Sequence, residues 1–150
     1  MDAFVQPLYE LVDFDAIIRQ LKKPGIVQVS GCLDSQKAHF TNGLLREFPF
    51  RLIVAENDLK AKAFYEDFRL YDPEVLYYPT RDLIFYQADI HGNLLTRQRI
   101  QVLRALLERE EVTIVTSIDS CLDCLVPLDV WREKVIKIRN DSEIDLDRMK

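Results

Sequence analysis

The residues with the clearest chemical potential form a short pattern, Ser-Gly-Cys-Leu-Asp-Ser-Gln-Lys-Ala, at residues 30–38. A phosphate-binding loop reads G-x-x-x-x-G-K-[ST] between a strand and a helix. Its glycines let backbone N–H groups approach phosphate oxygens, its lysine reaches the outer phosphates, and its hydroxyl binds magnesium. Gly31 and Lys37 stand at the required spacing, but Gln36 replaces the second glycine and Ala38 replaces the hydroxyl. The pattern predicts a nucleotide-binding fold and argues against nucleotide chemistry.

Asp34 adds a second argument against a nucleotide site. It lies inside the loop, and a carboxylate roughly 4 Å from a phosphate would oppose polyphosphate binding. We therefore interpret Gly31, Gln36, Lys37 and Ala38 as the relic of a phosphate loop that holds no nucleotide and no metal. No catalytic residue is assigned, and we expect Lys37 and Gly31 to serve structural purposes.

The cysteines and histidines give weaker signals. Cys121 and Cys124 form a C-x-x-C pair, which in redox proteins needs a low-pKa thiol at a helix N-terminus. We favour the interpretation that both sulfurs face the core. Zinc is disfavoured because the chain has no second C-x-x-C and because His39 and His91 lack ligand spacing. Each histidine is expected on the surface or in a loop.

A stretch rich in aromatic and apolar residues occupies residues 80–92. Aromatic side chains can stack on bases, so the stretch is a candidate surface for DNA or a protein partner. The alternative, which we favour, is that Leu83, Ile84 and Phe85 pack beneath the sheet.

Charged residues farther along the chain give no assembled site. Arg97, Arg99 and Arg104 could form a basic stripe, although solvated helix arginines that pair weakly with neighbouring glutamates are commoner. Asp89 and Asp119 lack a convincing carboxylate partner for acid–base work. The sequence therefore predicts no hydrolase site.

The composition indicates a cytoplasmic globular protein. The 150 residues are 48% hydrophobic and 30% charged with a net charge of -5, which suits a domain with a real core. The negative charge weighs against a nonspecific nucleic-acid binder. The sequence has no apolar run of ~18 residues that could span a membrane and no signal-peptide pattern. The 3 cysteines favour a reducing compartment.

The spacing of apolar residues predicts alternating strands and helices. Strands are predicted at residues 26–29, 51–55, 75–78 and 112–116. Helices are predicted at residues 14–22, 34–47, from a cap at 56–58 to a stop at 72–73, 93–110 and 117–125. Such alternation indicates an α/β fold with a mostly parallel sheet and helices on both faces.

The final part of the chain differs from the rest. Residues 1–127 are predicted to form one subdomain, and residues 128–150 to begin a second, small α+β subdomain. No capping signal precedes the last residues, Met149 and Lys150. We expect the chain to be a piece of a longer protein that is cut just inside a second subdomain.

Five segments carry a resemblance to a known family, and they follow the family's order along the chain. They are residues 29–37, 52–68, 78–86, 97–116 and 127–130. Together they resemble the first domain of the excision-repair helicase UvrB, domain 1a, which has a P-loop NTPase fold. The resemblance is closer to the UvrB-like N-terminal module of the bacterial transcription-repair coupling factor, Mfd, and it spans about residues 24–150.

Two departures from UvrB support the closer resemblance. UvrB has an intact phosphate loop, whereas this chain has Gln36 and Ala38. UvrB also has a long aromatic hairpin before its long helix, and residues 80–92 are too few to form it. Both losses are typical of the Mfd module.

The resemblance implies a module that hydrolyses no ATP. In the family this module recruits UvrA through the domain inserted after the first subdomain, and it packs on the translocase part to hold that part inactive. ATP and magnesium, DNA translocation and binding to RNA polymerase belong to later domains. The principal UvrA contacts are expected beyond Lys150.

Two further function classes stay open at this stage. One is a nucleotide-dependent enzyme, a UvrB-like helicase domain or another P-loop ATPase that binds nucleotide and DNA. The other is a general scaffold with no repair role. An exposed apolar surface of a cut subdomain also predicts self-association.

Overall fold

The computed structural model describes residues 2–81, 91–127 and 129–131. Its elements alternate between helix and strand after an N-terminal helical segment. The helices are α1 Asp2–Val5, α2 Phe14–Leu21, α3 Asp34–Leu45, α4 Asp58–Phe68, α5 His91–Glu108 and α6 Ile118–Cys121, with a 3₁₀ turn at Gln6–Glu10. The strands are β1 Phe50–Ala55, β2 Leu76–Tyr78 and β3 Val112–Ser117.

The three strands form a parallel sheet in the order β1-β3-β2. Phe50 is paired with Val112 and Leu76 with Ile114. Every residue of the central strand β3 is buried, including the polar residues Thr113, Thr116 and Ser117. The predicted α/β fold with a parallel sheet is therefore confirmed for the described residues.

Helices cover the sheet on both faces, because side chains alternate along each strand. On one face α4 packs on the sheet and α3 packs on α4; we name this cluster the α4-side core, and its buried members are Ala38, Ala61, Phe68, Val75, Tyr77 and Val115. On the other face α5 packs on β2 and β3; this is the α5-side core, with buried members Leu76, Tyr78, Val102, Ala105, Val112 and Ile114.

Helix α4 follows its predicted pattern closely. The Asn57 side chain caps it by accepting a hydrogen bond from the Lys60 backbone N–H at 2.9 Å. Ala61 and Phe68 are fully buried, while Phe64 and Tyr65 are partly buried against the same core. The apolar spacing thus placed this helix face correctly.

An N-terminal cluster was not predicted from the sequence. Its buried members are Val5, Leu8, Phe14 and Ile18, and Phe40 and Leu44 of α3 pack against it. Gly43 makes this approach possible, because a Cβ at that position would overlap Leu8 Cδ1 and lie 3.0 Å from Phe14 Cζ. The close contact explains why a glycine sits within a helix, where it normally costs stability.

We expect Gly43→Ala to destabilise the chain by up to about 2 kcal/mol. Overpacking against Leu8 and Phe14 costs roughly 1–3 kcal/mol and outweighs the gain of up to about 1 kcal/mol in helix propensity. Urea unfolding followed by far-ultraviolet circular dichroism measures the difference. Ser35→Ala, at an exposed position of the same helix, is the control. A stabilised Gly43→Ala variant would contradict the close packing.

The predicted strand at residues 26–29 is wrong. The segment is not assigned to a strand and is solvent-exposed, with Ile26 93% and Val29 42% exposed. β-Rich composition reports how well residues fit a pleated, half-buried surface, and no such surface accompanies this segment in the described structure. β1 also shows an exposed apolar face, formed by Phe50, Leu52 and Val54.

The buried face of α5 also differs from the predicted one. The spacing of Ile100, Leu103 and Leu107 in the sequence predicts an apolar face through Ile100, but Ile100 is 45% exposed, whereas Arg99, Val102 and Ala105 are buried. These three positions share a face at i, i+3 and i+6, so the helix is rotated relative to the apolar pattern. The rotation could not be predicted from the apolar spacing, because the buried face includes an arginine, Arg99.

Several predictions fall outside the described residues. These are the packing of residues 82–90, the elements predicted after Trp131, and the division into subdomains at residue 128. Within residues 2–81, 91–127 and 129–131, no helix is both long and apolar enough to cross a membrane.

Candidate functional site

The loop before α3 has the backbone expected of a tight turn. Gly31 has φ +89°, and nothing lies within 4 Å of the place where a Cβ would stand. The glycine is therefore favoured by its backbone conformation and not by lack of space. Helix α3 then begins at Asp34, so the relic-loop residues surround a helix N-terminus.

Gln36 and Lys37 are engaged with neighbouring residues of the loop. Gln36 Oε1 accepts a hydrogen bond from the Leu33 backbone N–H at 3.2 Å, one of the groups that a phosphate would contact in an intact loop. Lys37 Nζ lies 2.6 Å from Asp34 Oδ1. Lys37 therefore has a carboxylate partner within its own helical turn.

The Asp34–Lys37 pair is local and exposed. Its hydrogen bond and charge attraction lower the pKa of Asp34 and raise the pKa of Lys37. Asp34 has a side chain that is 96% exposed, so the pair contributes little to stability. Its consequence for the loop is that a negative charge lies beside the lysine.

Ala38 faces away from this loop. It is 1% exposed and belongs to the α4-side core with Phe68 and Tyr77. A serine or threonine hydroxyl in this core would need a hydrogen-bond partner there. The position that binds magnesium in an intact loop is thus a packing position in this chain.

A polar cluster lies at the carboxyl ends of the three strands, where parallel α/β sheets usually bind ligands. It joins Asp58, Thr80, Ser117 and Ser120. Thr80 Oγ1 lies 3.2 Å from Asp58 Oδ1, 3.1 Å from Ser117 Oγ and 2.9 Å from Ser120 Oγ. Ser117 and Ser120 are buried. We name these four residues the carboxyl-edge cluster.

The carboxyl-edge cluster contains hydroxyls and one carboxylate but no imidazole or lysine. A serine nucleophile needs a base that takes its proton, and among its described partners the cluster offers only Asp58. The Ser117 hydroxyl also accepts from the Ser120 backbone N–H at 3.3 Å and so caps α6. The hydrogen bonds of the cluster join the start of α4, the end of β2 and α6. The cluster was not predicted from the sequence, although each member lies at the carboxyl end of a strand or within three residues after it.

Arg99 is a buried cation on the other face of the sheet. Its Nη1 donates to Pro79 O and to Asp123 Oδ2, both at 2.8 Å, and its Cζ lies 4.2 Å from the centroid of the Tyr78 ring. The prediction of solvated arginines is therefore wrong for Arg99. It holds for Arg104, which pairs with Glu108 at 2.8 Å and is 71% exposed.

Cysteine and histidine positions give no redox or metal site among the described residues. Cys121 and Cys124 are exposed, so the expected core-facing sulfurs are wrong. Cys121 also ends the four-residue helix α6 and does not begin it. His39 lies in α3, is half-buried, stacks on Tyr71 with the ring centroids 5.4 Å apart and contacts Phe4 O. No cluster of three or more metal-ligand residues occurs in this part of the chain.

We expect the chain to lose stability as the pH rises above about 10. Burial raises the pKa of Tyr77, with a further increase from its hydrogen bond to Asp58, and burial also raises the pKa of Tyr78. In the unfolded chain both phenols ionise near pH 10. Their contribution is therefore complete below that pH and is lost above it, because the unfolded state releases its protons first.

Urea unfolding between pH 9 and pH 11.5 measures this effect. Tyr77→Phe should lose less stability over that range than the unaltered chain. Tyr9→Phe removes an exposed tyrosine (45% exposed) and serves as the control. Equal alkaline losses in Tyr77→Phe and the unaltered chain would contradict the prediction.

No family model matches the chain, but curated proteins of two kinds are similar to it. The transcription-repair-coupling factor of Staphylococcus epidermidis is 25% identical over 124 residues, covering 81% of this chain and 11% of that protein. The UvrABC system protein B of Treponema denticola is 28% identical over 134 residues, covering 89% of this chain and 18% of that protein. The UvrABC system protein B of Kosmotoga olearia is 36% identical over 106 residues, covering 70% of this chain and 14% of that protein.

These relatives confirm the resemblance found in the sequence. The homologues of the chain are transcription-repair-coupling factors and UvrB proteins, at 25% to 36% identity, and this fits a UvrB-like N-terminal module of Mfd. The chain spans 11% to 18% of the length of the relatives described above.

Proposed function

We propose that the chain is a non-catalytic module of a cytoplasmic transcription-repair coupling factor that acts in transcription-coupled nucleotide excision repair. The module serves UvrA recruitment and regulates an ATP-dependent DNA translocase in the same protein by packing on it. ATP, magnesium, DNA and RNA polymerase bind to other domains, and the UvrA contacts lie mostly beyond residue 150.

The homologues support the repair role. The transcription-repair-coupling factor carries this role in its name, and the other relatives are proteins of the UvrABC system. Because the chain matches only a small part of each relative, the partners of the whole protein are part of the proposal.

The environment of the relic loop carries the non-catalytic assignment. Lys37 is paired with Asp34 at 2.6 Å, and Gln36 binds the Leu33 backbone N–H. Ala38 is buried in the α4-side core. These contacts engage the lysine, one backbone donor and the position of the metal ligand in other ways, which supports the proposal that the loop does not bind polyphosphate.

We expect no saturable binding of Mg²⁺–ATP to the 150-residue chain at roughly millimolar nucleotide, a concentration at the upper end of typical KM values for enzyme substrates. Isothermal titration calorimetry makes the measurement, with a known P-loop ATPase as the positive control. Lys37→Ala should give the same flat titration as the unaltered chain. Saturable binding that Lys37→Ala abolishes would contradict the non-catalytic assignment.

A specific observation favours one alternative function. The UvrB relatives reach 28% and 36% identity, against 25% for the coupling factor. A UvrB-like ATPase or helicase domain that binds nucleotide and DNA is therefore the second candidate. The same titration separates the two, because only this alternative requires nucleotide binding.

Capture of UvrA tests the repair assignment. A chain extended past residue 150 into the second subdomain should retain purified UvrA in a pull-down, whereas residues 1–127 alone should retain little. Failure of the extended chain to bind UvrA would count heavily against the proposal and would favour a general scaffold.

A further inference from the structure

A pocket of about 440 Å³ opens between α5 and the segment that follows α6. Its volume falls in the range of small-molecule sites, roughly 300–1,000 Å³. Aliphatic, aromatic and cationic side chains line it together: Tyr78, Arg81, Leu95, Thr96, Arg99, Ile100, Leu103, Leu125, Val126 and Trp131. Neither the proposed function nor the carboxyl-edge cluster uses this pocket.

The apolar walls of the pocket are partly exposed. Ile100 is 45% exposed, Leu125 52% and Val126 51%. Exposed apolar side chains grouped around one cavity are uncommon on a protein surface and mark interaction sites more often than isolated ones do. An apolar body in the pocket would cover them.

The polar groups of the pocket carry a net positive charge. Arg99 and Arg81 both lie near Asp123, with nitrogen–oxygen distances of 2.8 Å and 3.9 Å. Two guanidinium groups and one carboxylate leave one positive charge uncompensated within this group. The positive charge calls for one further anionic group.

Two buried polar atoms beside the pocket also lack partners. Arg99 Nη2 and Tyr78 Oη have no partner with good hydrogen-bond geometry within the described part of the chain, although the Arg99 guanidinium lies close enough to the Tyr78 hydroxyl to offset part of the rise in its pKa that burial causes. Tyr78 is 7% exposed and Arg99 7% exposed, so solvent does not readily satisfy them. Buried donors without partners are costly and usually have an explanation such as an unseen ligand.

We propose that this pocket binds a monocarboxylate carried on an apolar or aromatic body. Arg81 and Arg99 hold the carboxylate, the Tyr78 hydroxyl donates to it, and the aliphatic walls and Trp131 cover the apolar part. Guanidinium groups suit carboxylates because their paired N–H groups match the two oxygens. The site stands independently of the proposed repair function.

The charge balance favours a monoanion over a polyanion. One carboxylate neutralises the single net positive charge, whereas a phosphate dianion or a nucleic-acid backbone would leave negative charge beside Asp123. The overall charge of -5 adds to this repulsion at low salt. Carboxylate chemistry is therefore the better match to these side chains.

The single tryptophan of the chain gives a direct measurement, because Trp131 lines the pocket. Titration of the 150-residue chain with 4-phenylbutyrate should shift Trp131 emission saturably, with a dissociation constant on the order of 1 mM for a ligand of this size. The neutral analogue 4-phenylbutyramide should bind at least about tenfold more weakly, because it lacks the charge that Arg81 and Arg99 recognise.

Variants locate the bound carboxylate. Arg81→Gln should weaken 4-phenylbutyrate binding about tenfold, and Arg81 is suitable because its side chain is 58% exposed and not essential to the core. Arg97→Gln, on α5 but outside the pocket lining, is the matched control and should bind as the unaltered chain does. Arg99→Gln should abolish binding if it folds, and Arg81→Gln keeps the test valid if it does not.

Two further ligands define what would overturn the site. Equal binding of the acid and the amide, tighter binding of inorganic phosphate than of 4-phenylbutyrate, or no saturable change at all would each overturn it. A peptide ending in phenylalanine with a free carboxylate, compared with its C-terminal amide, distinguishes the source of the ligand. Tighter binding of the peptide acid than of 4-phenylbutyrate supports a protein partner, and the reverse supports a free acid; both support the carboxylate site.

Discussion

Phe68→Ala is expected to destabilise the chain by about 3–5 kcal/mol, the range for deleting a buried aromatic side chain. Phe68 is 0% exposed and packs with Ala61 and Val75 in the α4-side core. Its ring also stacks on Phe64, with the centroids 5.7 Å apart. Truncation removes both the apolar burial and the ring contact and leaves a cavity between α4 and the sheet.

Urea unfolding followed by circular dichroism measures the loss. Leu59→Ala, on the same helix at a position that is 80% exposed, is the control and should change stability by no more than about 0.5 kcal/mol. If Phe68→Ala cost less than about 1 kcal/mol, α4 would not pack on the sheet as described. Complete unfolding of Phe68→Ala at 25 °C would agree with the prediction if the unaltered chain has about 5 kcal/mol of stability or less, the lower end of the usual range.

The parts of the fold that could be predicted are those whose local sequence agrees with the way they pack. Helix α4 has a cap at Asn57 and an apolar face at helical spacing, so local sequence and packing agree. β3 is the central strand and is buried throughout, and its succession of β-branched residues was a sufficient signal. A similar composition at residues 26–29 predicted a strand that does not form, because a strand also needs a neighbouring strand with which to pair.

The parts that could not be predicted depend on contacts between distant residues. Arg99 occupies the sheet-facing side of α5 because Pro79 O and Asp123 satisfy its guanidinium. Spacing alone cannot reveal partners twenty or more positions away. The carboxyl-edge cluster is similar, because Thr80 and Ser120 meet only when β2 and β3 lie side by side.

The relic loop could be predicted in part. The substitutions Gln36 and Ala38 were visible in the sequence, but their consequences were not. In the structure Gln36 binds the Leu33 N–H and Ala38 is a core residue beside Phe68. Restoring a phosphate loop would therefore disturb packing as well as chemistry. This coupling supports the proposal that the loop now serves the fold.

Arg99→Met is expected to cost about 2–4 kcal/mol of stability. Methionine keeps much of the aliphatic stem but removes a guanidinium that donates to Pro79 O and Asp123 Oδ2 at 2.8 Å and covers the Tyr78 ring. Breaking a buried ion pair by removing one partner typically costs about 3–5 kcal/mol. We lower this range because the Asp123 side chain is 26% exposed and Arg81 lies 3.9 Å from it.

The control for Arg99→Met is Arg104→Met on the same helix, where an exposed pair with Glu108 should contribute no more than about 0.5 kcal/mol. Both variants lose one positive charge from α5, so the comparison separates burial from net charge. Adding Asp123→Asn to Arg99→Met should recover at least about 1 kcal/mol, because it removes the carboxylate left without its main partner. If Arg99→Met were no more destabilising than Arg104→Met, the buried pair would not hold α5 against the end of β2.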